Sequence, residues 1–566
     1  MVPADDFAAA AERALIEGDT ARAIDGYRQL ITASPLQVEP RYGLASALGA
    51  AGDRAAASAA LEEARTLHGL LMAGRLGADI PRLSTDGGYA VGIANQLYMG
   101  DLVATASVVF GRAITAGDAS KLGLMTYAVS LQHQARAEEA IRVFRAALEL
   151  YPSAQVHQFL LYPHFMVENG PARYAAEARA WAARWAPESG EPTFDHRPRA
   201  GRKLRIGYVA PTFAGSQVRQ FITPILENHD PEAVEVTLYP AKIDTESGWP
   251  AHFAITAIGH LPDEEAAALI RADRIDVLVD CWGHTAGSRL GMFAQRAAPV
   301  QVAWINFLQT TGLSRMDYVI HCDSMAVPGT AELFTETVIS MGEIMIPYRP
   351  HDARAEPTPT PALASGRITF GSFNHPAKLS DATVAAWSRI LKDRPGARLI
   401  LKYRYFIDPV LQAVTRARFL AEGVAPARIE FEGHETGDAY LAAFSRIDLA
   451  LDPSPCPGGT TSCDALANGV PVLTLAGADF YSRIGILCAQ ACGLPELVAE
   501  TWDDYVARAL ALTEDAEALN RLRARVRPGF DAGPLRDEAG FTQRLEQTFT
   551  AMLDRALASP ALLQAG

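Results

Sequence analysis

Three short runs in this chain combine residues able to hold an anion or move a proton. The longest is Asp452-Pro453-Ser454-Pro455-Cys456-Pro457-Gly458-Gly459-Thr460-Thr461-Ser462-Cys463-Asp464-Ala465-Leu466. An apolar strand ends at Asp452, a glycine-rich turn follows, and hydroxyl residues open a helix. The free backbone N–H groups and the dipole of such a helix start converge on an anion, and a diphosphate fits. Taken alone, Thr460 or Thr461 would be an ordinary N-cap; the position at a strand's carboxyl end favours the anion site. The second run is Ser372-Phe373-Asn374-His375-Pro376-Ala377-Lys378-Leu379-Ser380, again a strand end before a helix. Lys378 there would neutralise a departing phosphate, which is where fixed positive charge lowers a barrier, although a solvated lysine is the commoner fate. The third is Asp280-Cys281-Trp282-Gly283-His284-Thr285-Ala286-Gly287. Its imidazole is suited to act as a base or hydrogen-bond donor, with a structural histidine as the rival reading.

The elements that must position these runs alternate strands and helices. Strand character is expected at Leu204–Val209, Val234–Tyr239, Ile275–Asp280 and Val300–Ile305, with a helix-like run at Phe221–Leu226. After the Pro-rich break Glu356-Pro357-Thr358-Pro359-Thr360-Pro361 a second series follows: Ile368–Phe373, Arg398–Lys402, Ile429–Glu432, Leu449–Asp452 and Val470–Leu475. Two parallel-sheet domains are expected, with ligands at the carboxyl ends of their strands and a cleft between them.

Ahead of a polar bridge over 186–202, the chain reads as Ala-rich amphipathic helices. Gly18-Asp19 recurs 34 residues later as Gly52-Asp53, and Ala23 as Ala57, which is the tetratricopeptide period. A further copy carries Ala140, Phe144, Ala147 and Pro152, standing 117 residues after Ala23, Tyr27, Leu30 and Pro35. Because that offset is no multiple of the period, an irregular insertion is expected around Ser84–Gly92. Plain helix packing is the rival reading. Stacked helix pairs present an extended concave surface suited to a polypeptide partner.

Composition bounds the rest. A chain of 566 residues is too long for one core, and 49% hydrophobic with 20% charged residues is ordinary globular composition. No apolar run approaches the roughly 20 residues of a membrane span, and the amino terminus lacks the order of a secretory signal, so a cytoplasmic location is expected. The six cysteines lack any CxxC pair, arguing for reduced thiols with neither disulfide nor zinc. A net charge of −14 disfavours nucleic acid as a partner.

Together these loops resemble the protein O-glycosyltransferases that include O-GlcNAc transferase and SPINDLY, over most of residues 204–515. The resemblance rests on Gly283-His284-Thr285-Ala286, Ala298-Pro299-Val300-Gln301-Val302 with Trp304, Thr311-Gly312, Met316-Asp317-Tyr318, Phe373-Asn374 with Lys378, and Gly459-Thr460-Thr461 through Gly469-Val470-Pro471. It implies an α-helical tetratricopeptide segment followed by an α/β GT-B glycosyltransferase with two Rossmann-like lobes, divided as repeats over 1–155, a connector over 156–202, and lobes over 203–355 and 356–566. It implies inverting transfer from a nucleotide-sugar co-substrate to Ser or Thr of a protein, without metal or other cofactor. Lys378 would contact the donor phosphates, Thr460 and Thr461 the diphosphate, Asp464 the ribose and Tyr440 the base. His375, Lys402, Gly459, Thr311 and Gly312 complete the donor side, and His284 or Asp280 would accept the proton.

Two departures stand out. Where these enzymes carry an Asp and a His in the first catalytic loop, this chain has Thr212 and Ser216, and a histidine before the Thr-Thr pair is Gly459 here. The family's base therefore cannot be carried over and the donor is open: a flagellin acceptor with a CMP-nonulosonic acid donor, a UDP-GlcNAc or GDP-fucose donor, or a catalytically decayed repeat scaffold that binds nucleotide.

Overall fold

The computed structural model describes residues 4–190, 194, 201–213, 218–243, 249, 253–306, 308–351, 354 and 356–558. Most of the expected bridge over 186–202, and Ser216, lie outside them.

The chain begins with helices paired as hairpins: Ala4–Ile16 with Thr20–Ala33, Glu39–Ala50 with Arg54–Arg75, Gly87–Met99 with Val103–Thr115, and Lys121–Gln132 with Ala137–Leu150. The repeated Gly-Asp pairs do the same work twice. Gly18 and Gly52 turn the chain at positive φ, where a side chain is disfavoured, and the Asp19 and Asp53 carboxylates accept the N–H groups of Arg22 and Ala56 at the next helix start. Tyr27 fills the groove over Gly43, where a Cβ would lie only 2.3 Å from the tyrosine ring.

The broken period has a different origin from the one expected. The second hairpin is long, its second helix running 22 residues from Arg54 to Arg75 and followed by the short helix Ile80–Leu83. Ser84–Gly92 is not an irregular insertion; Asp86 caps a third helix pair that begins at Gly87. Its glycine-rich start concealed it.

The lobes are two parallel sheets. The first contains β1 (Leu204–Ala210), β2 (Val234–Pro240), β3 (Ala254–Ile255), β4 (Val277–Asp280), β5 (Val300–Ala303), β6 (Tyr318–His321) and β7 (Thr337–Ser340), in the order β3-β2-β1-β4-β5-β6-β7. The second contains β8 (Thr369–Ser372), β9 (Arg398–Lys402), β10 (Ile429–Glu432), β11 (Leu449–Leu451), β12 (Val472–Leu475) and β13 (Val498–Ala499), ordered β10-β9-β8-β11-β12-β13. Strands β4, β5, β8 and β12 are buried along their whole length, as parallel strands covered by helices on both faces must be. The short β3 and β13 and the polar-flanked β6 and β7 were not expected from the sequence.

Helical and sheet parts are tied on both sides. Helix Gly170–Trp185 lies on the first lobe, where the Tyr174 hydroxyl donates to the Thr310 carbonyl at 3.0 Å. On the second lobe, the buried Asp408 carboxylate accepts Val410 N–H at 2.9 Å, capping helix Pro409–Ala421, and also Ala104 N–H at 2.7 Å and Thr105 N–H at 2.9 Å, capping Val103–Thr115. One side chain thus starts two helices from distant parts of the chain. The last helix, Glu538–Leu557, does not stay with the second lobe, within which it was expected; it crosses back, stacking Phe541 on Trp304 and pairing Glu546 with His229 at 2.8 Å. No described helix is long and apolar enough to cross a membrane.

Candidate active site

The second sheet reverses its winding between β8 and β11, because the chain builds β9 and β10 to one side of β8 and β12 and β13 beyond β11. Loops leaving two such adjacent strands diverge and open a crevice. Here those loops are the second and first runs singled out above. The Lys378 ammonium donates to the Pro457 carbonyl at 2.7 Å and reaches the Asn374 side-chain oxygen at 3.5 Å. Thr461 Oγ1 donates to that same Asn374 oxygen at 3.2 Å. The lysine, the hydroxyl and the start of helix Thr460–Ala467 are therefore one cluster, and the lysine's hydrogen bonds go to neutral oxygens rather than carboxylates. The buried Asp452 carboxyl acts on it through space.

The loop is held rigidly. Ser380 Oγ and Thr383 Oγ1 donate to the Ser454 carbonyl at 2.6 and 2.9 Å. Gly458 N–H donates to Asp452 at 2.7 Å, and a Cβ at Gly458 would lie 2.3 Å from Ser462 Oγ. Burial pushes the Asp452 carboxyl up to about 6, the Gly458 N–H, the nearby Lys378 ammonium and the hydroxyls of Thr474 and Ser462 offsetting part of that cost. Gly459 and Thr460 face the first lobe's Ile305, Asn306 and Met345 across a cavity of about 140 Å³ between the lobes.

Other expected donor-side residues are arranged differently. Asp464 is buried with both oxygens engaged, one by the Tyr348 hydroxyl at 2.6 Å and the other by the Tyr440 hydroxyl at 2.9 Å; burial raises its carboxyl pKa. Tyr440 packs edge-on against Phe444, with ring centroids 5.3 Å apart. His375 lies in the Lys378 loop, its Nδ1 accepting Ala377 N–H at 2.9 Å. Lys402, at the end of β9, is ion-paired with Glu435 at 2.6 Å and Glu432 at 3.4 Å, so its charge is already compensated.

Thr311, Gly312 and His284 gather elsewhere, under helix Gly170–Trp185. Thr310 and Thr311 hydroxyls both donate to the buried Glu336 carboxylate. His284 Nε2 lies 2.7 Å from the Thr311 carbonyl, which assigns its proton to that nitrogen, and its ring meets Trp181 edge-on at 4.7 Å. Burial pushes the imidazole down to about 4. Gly312 has φ +77°, and a Cβ there would sit 2.4 Å from the Ala178 carbonyl oxygen. Gly312→Ala is therefore expected to cost about 3 kcal/mol or more through backbone strain and collision, seen as a lowered melting temperature. A donor contact at Gly312 would instead raise the donor KM and leave melting unchanged.

Asp280 ends β4, accepting Gly283 N–H at 2.9 Å and Trp282 N–H at 3.2 Å. Burial pushes its carboxyl up to about 7, a range suited to proton transfer near neutrality. Thr212 follows β1.

Sequence reasoning named Asn374 only as part of a motif and missed its place between Lys378 and Thr461. It missed Tyr348 and Asp408 altogether, because their partners, Asp464 and the Val103 helix start, are more than a hundred residues away in the chain.

Two parallel sheets, the second with its switch-point loops brought together at Lys378 and Thr461, define the GT-B fold. The model of glycosyl transferase family 41 matches residues 145–346 and 359–545, and the chain belongs to that family. It is 35% identical over 382 residues to a protein of Petunia hybrida described as probable UDP-N-acetylglucosamine–peptide N-acetylglucosaminyltransferase SPINDLY, covering 64% of this chain and 40% of that one. It is 26% identical to the Arabidopsis thaliana protein SEC, of the same description, over 72% of this chain and 43% of the relative. The chain thus spans about 40% of the curated relatives' length. Among solved structures, a Lys-to-Met mutant of Thermobaculum terrenum O-GlcNAc transferase superposes with TM-score 0.75 at 28% identity, covering 98% of each chain.

Proposed function

We propose that this protein transfers a sugar from a nucleotide-sugar donor to a hydroxyl of a protein acceptor, with inversion. The observation that carries the reading is the junction of Lys378 and Thr461 on one Asn374 oxygen at the switch point of the second sheet. The acceptor oxygen forms a bond to the anomeric carbon on the side opposite the donor phosphate while the carbon–phosphate-oxygen bond breaks. The hydroxyl proton leaves to a base, and the phosphate departs toward Lys378 and the N–H groups at Thr460 and Thr461. Fixed positive charge at the place where negative charge develops, together with an oriented acceptor, supplies most of the acceleration. Asp280, whose carboxyl is pushed up to about 7 by burial, and His284, which with its Nε2–H on the Thr311 carbonyl has Nδ1 as its basic nitrogen, are the two candidate bases.

The helical hairpins hold the acceptor, in our reading a flagellin-like filament subunit modified before export. The donor is a CMP-nonulosonic acid or a UDP- or GDP-sugar; the descriptions of the relatives favour UDP. Melting of the intact chain with UDP, GDP and CMP in turn tests this. A nucleotide at a hundred times its Kd stabilises the native state by about 2.7 kcal/mol, so one of the three is expected to raise the melting temperature, and the matching labelled sugar to be transferred. Tight nucleotide binding with zero turnover would favour a decayed scaffold instead, and no shift with any of the three would overturn the donor site.

A further inference from the structure

The imidazole of His133, at the end of helix Lys121–Gln132 in the last hairpin, lies against the phosphate-side loop of the second lobe. Its ring centroid is 4.8 Å from that of His375, 4.6 Å from Tyr405 and 6.1 Å from Tyr98. The Tyr405 and Tyr98 hydroxyls approach its Nε2 at 3.2 and 3.4 Å. The other ring nitrogen, Nδ1, is shut off from solvent and has no hydrogen-bond partner among the described residues.

His375 is the neighbour that matters. Its Nδ1 accepts the Ala377 N–H at 2.9 Å and so caps the turn Pro376–Lys378. A proton on that nitrogen would set two donors face to face and release the turn that carries Lys378. The groups around the two imidazoles oppose such a proton: Lys378 on the same loop, Tyr403 at 4.7 Å and Tyr405 at 5.4 Å from the strand end, Tyr98 on the helical side, and Arg404, whose counterion Asp101 is held at 2.6 Å. Burial, His133 and Lys378 all hold the His375 pKa well below the usual range, and burial pushes His133 down to about 3.

We infer that His133 is a positioning residue for the phosphate-binding loop: by covering His375 it keeps that imidazole neutral with Nδ1 as an acceptor, and thereby keeps the turn of Lys378 capped. The helical segment then takes part in the chemistry besides holding an acceptor. The inference rests on the proposed donor site.

Histidine nitrogen shifts of the full chain labelled with 15N-histidine, recorded from pH 5 to 8, test it alongside the pH profile of kcat/KM for the donor. In the parent and in His133→Phe, which keeps a ring in place, His375 is expected to stay neutral throughout, and kcat/KM to show only the acid limb set by the proposed base. In His133→Ala, water reaches His375, which is expected to titrate near an ordinary histidine value of about 6.5. Its kcat/KM then falls between pH 7.5 and pH 5.5 by about tenfold more than the parent's does. Should the Ala variant fail to fold, His133→Asn opens the same space. A packing role alone would lower melting without moving the acid limb. A His375 that titrates normally in the parent, or stays neutral in the opened variants, overturns the inference. If the parent transfers no sugar, the functional reading falls, and the nitrogen shifts still decide this one.

Discussion

Lys378→Met is expected to lower kcat for sugar transfer by roughly a hundred- to a thousandfold, the cost of removing one preorganised donor from a developing oxyanion. Methionine keeps the length and apolar stem of the side chain, so the surrounding loop should persist. What disappears is the ammonium that donates to Pro457 and reaches Asn374. Nucleotide affinity should weaken far less, about tenfold, because the helix N-terminus and Thr461 still face the phosphates. The split is the informative part. An ammonium that stabilises the leaving group acts mainly in the transition state, so kcat falls more than binding does. Normal transfer by this variant, with purified donor and acceptor, would remove Lys378 from the mechanism.

Asp408→Ala is expected to be the most damaging change outside the cleft. The carboxylate accepts three backbone N–H groups and the Thr105 hydroxyl at 2.9 Å, and it is fully buried, with its carboxyl pKa raised by that burial. Truncation leaves buried donors unpaired at the starts of two helices. Each unpaired donor costs about 1–3 kcal/mol, so a loss on the order of 3–5 kcal/mol is expected, allowing for partial relaxation. Thermal unfolding would report the loss. Amide exchange would localise it, with Val103–Thr115 and the facing helix Pro409–Ala421 losing protection together. Asp408→Asn, which retains one acceptor oxygen, should be intermediate. Unchanged melting and unchanged exchange would show that the seam between hairpins and second lobe is held by other contacts, among them the Ser46 hydroxyl on the Ala417 carbonyl at 2.9 Å.

Much of this architecture was legible because local chemistry dictates it. The Gly-Asp pairs at 18–19 and 52–53 announce helix starts, since a positive-φ glycine and a capping carboxylate act on their immediate neighbours. The strands β4, β5 and β12, each apolar but for one residue, announce a parallel sheet by their near-continuous apolar runs. Failures came where length or composition hid the pattern. The third hairpin opens on Gly87-Gly88, which reads as a loop, and β3 and β13 are each only two residues long.

The candidate site divides in the same way. The residue types at Lys378, Thr460 and Thr461, and their placement at strand ends before helices, follow from the sequence by itself, because strand, turn and helix start are consecutive in the chain. Whether two such loops meet is a matter of strand order, and only the tertiary structure decided that β8 and β11 lie side by side, so that Asn374 joins Lys378 to Thr461. It likewise decided that Lys402 spends its charge on Glu435, that tyrosines occupy Asp464, and that Thr311, Gly312 and His284 sit beneath a helix from the connector. Side-chain partners on separate elements, such as Tyr348 and Asp464, leave no periodic mark in a sequence. Their pairing is fixed by how the sheets wind and by which helices the lobes bury.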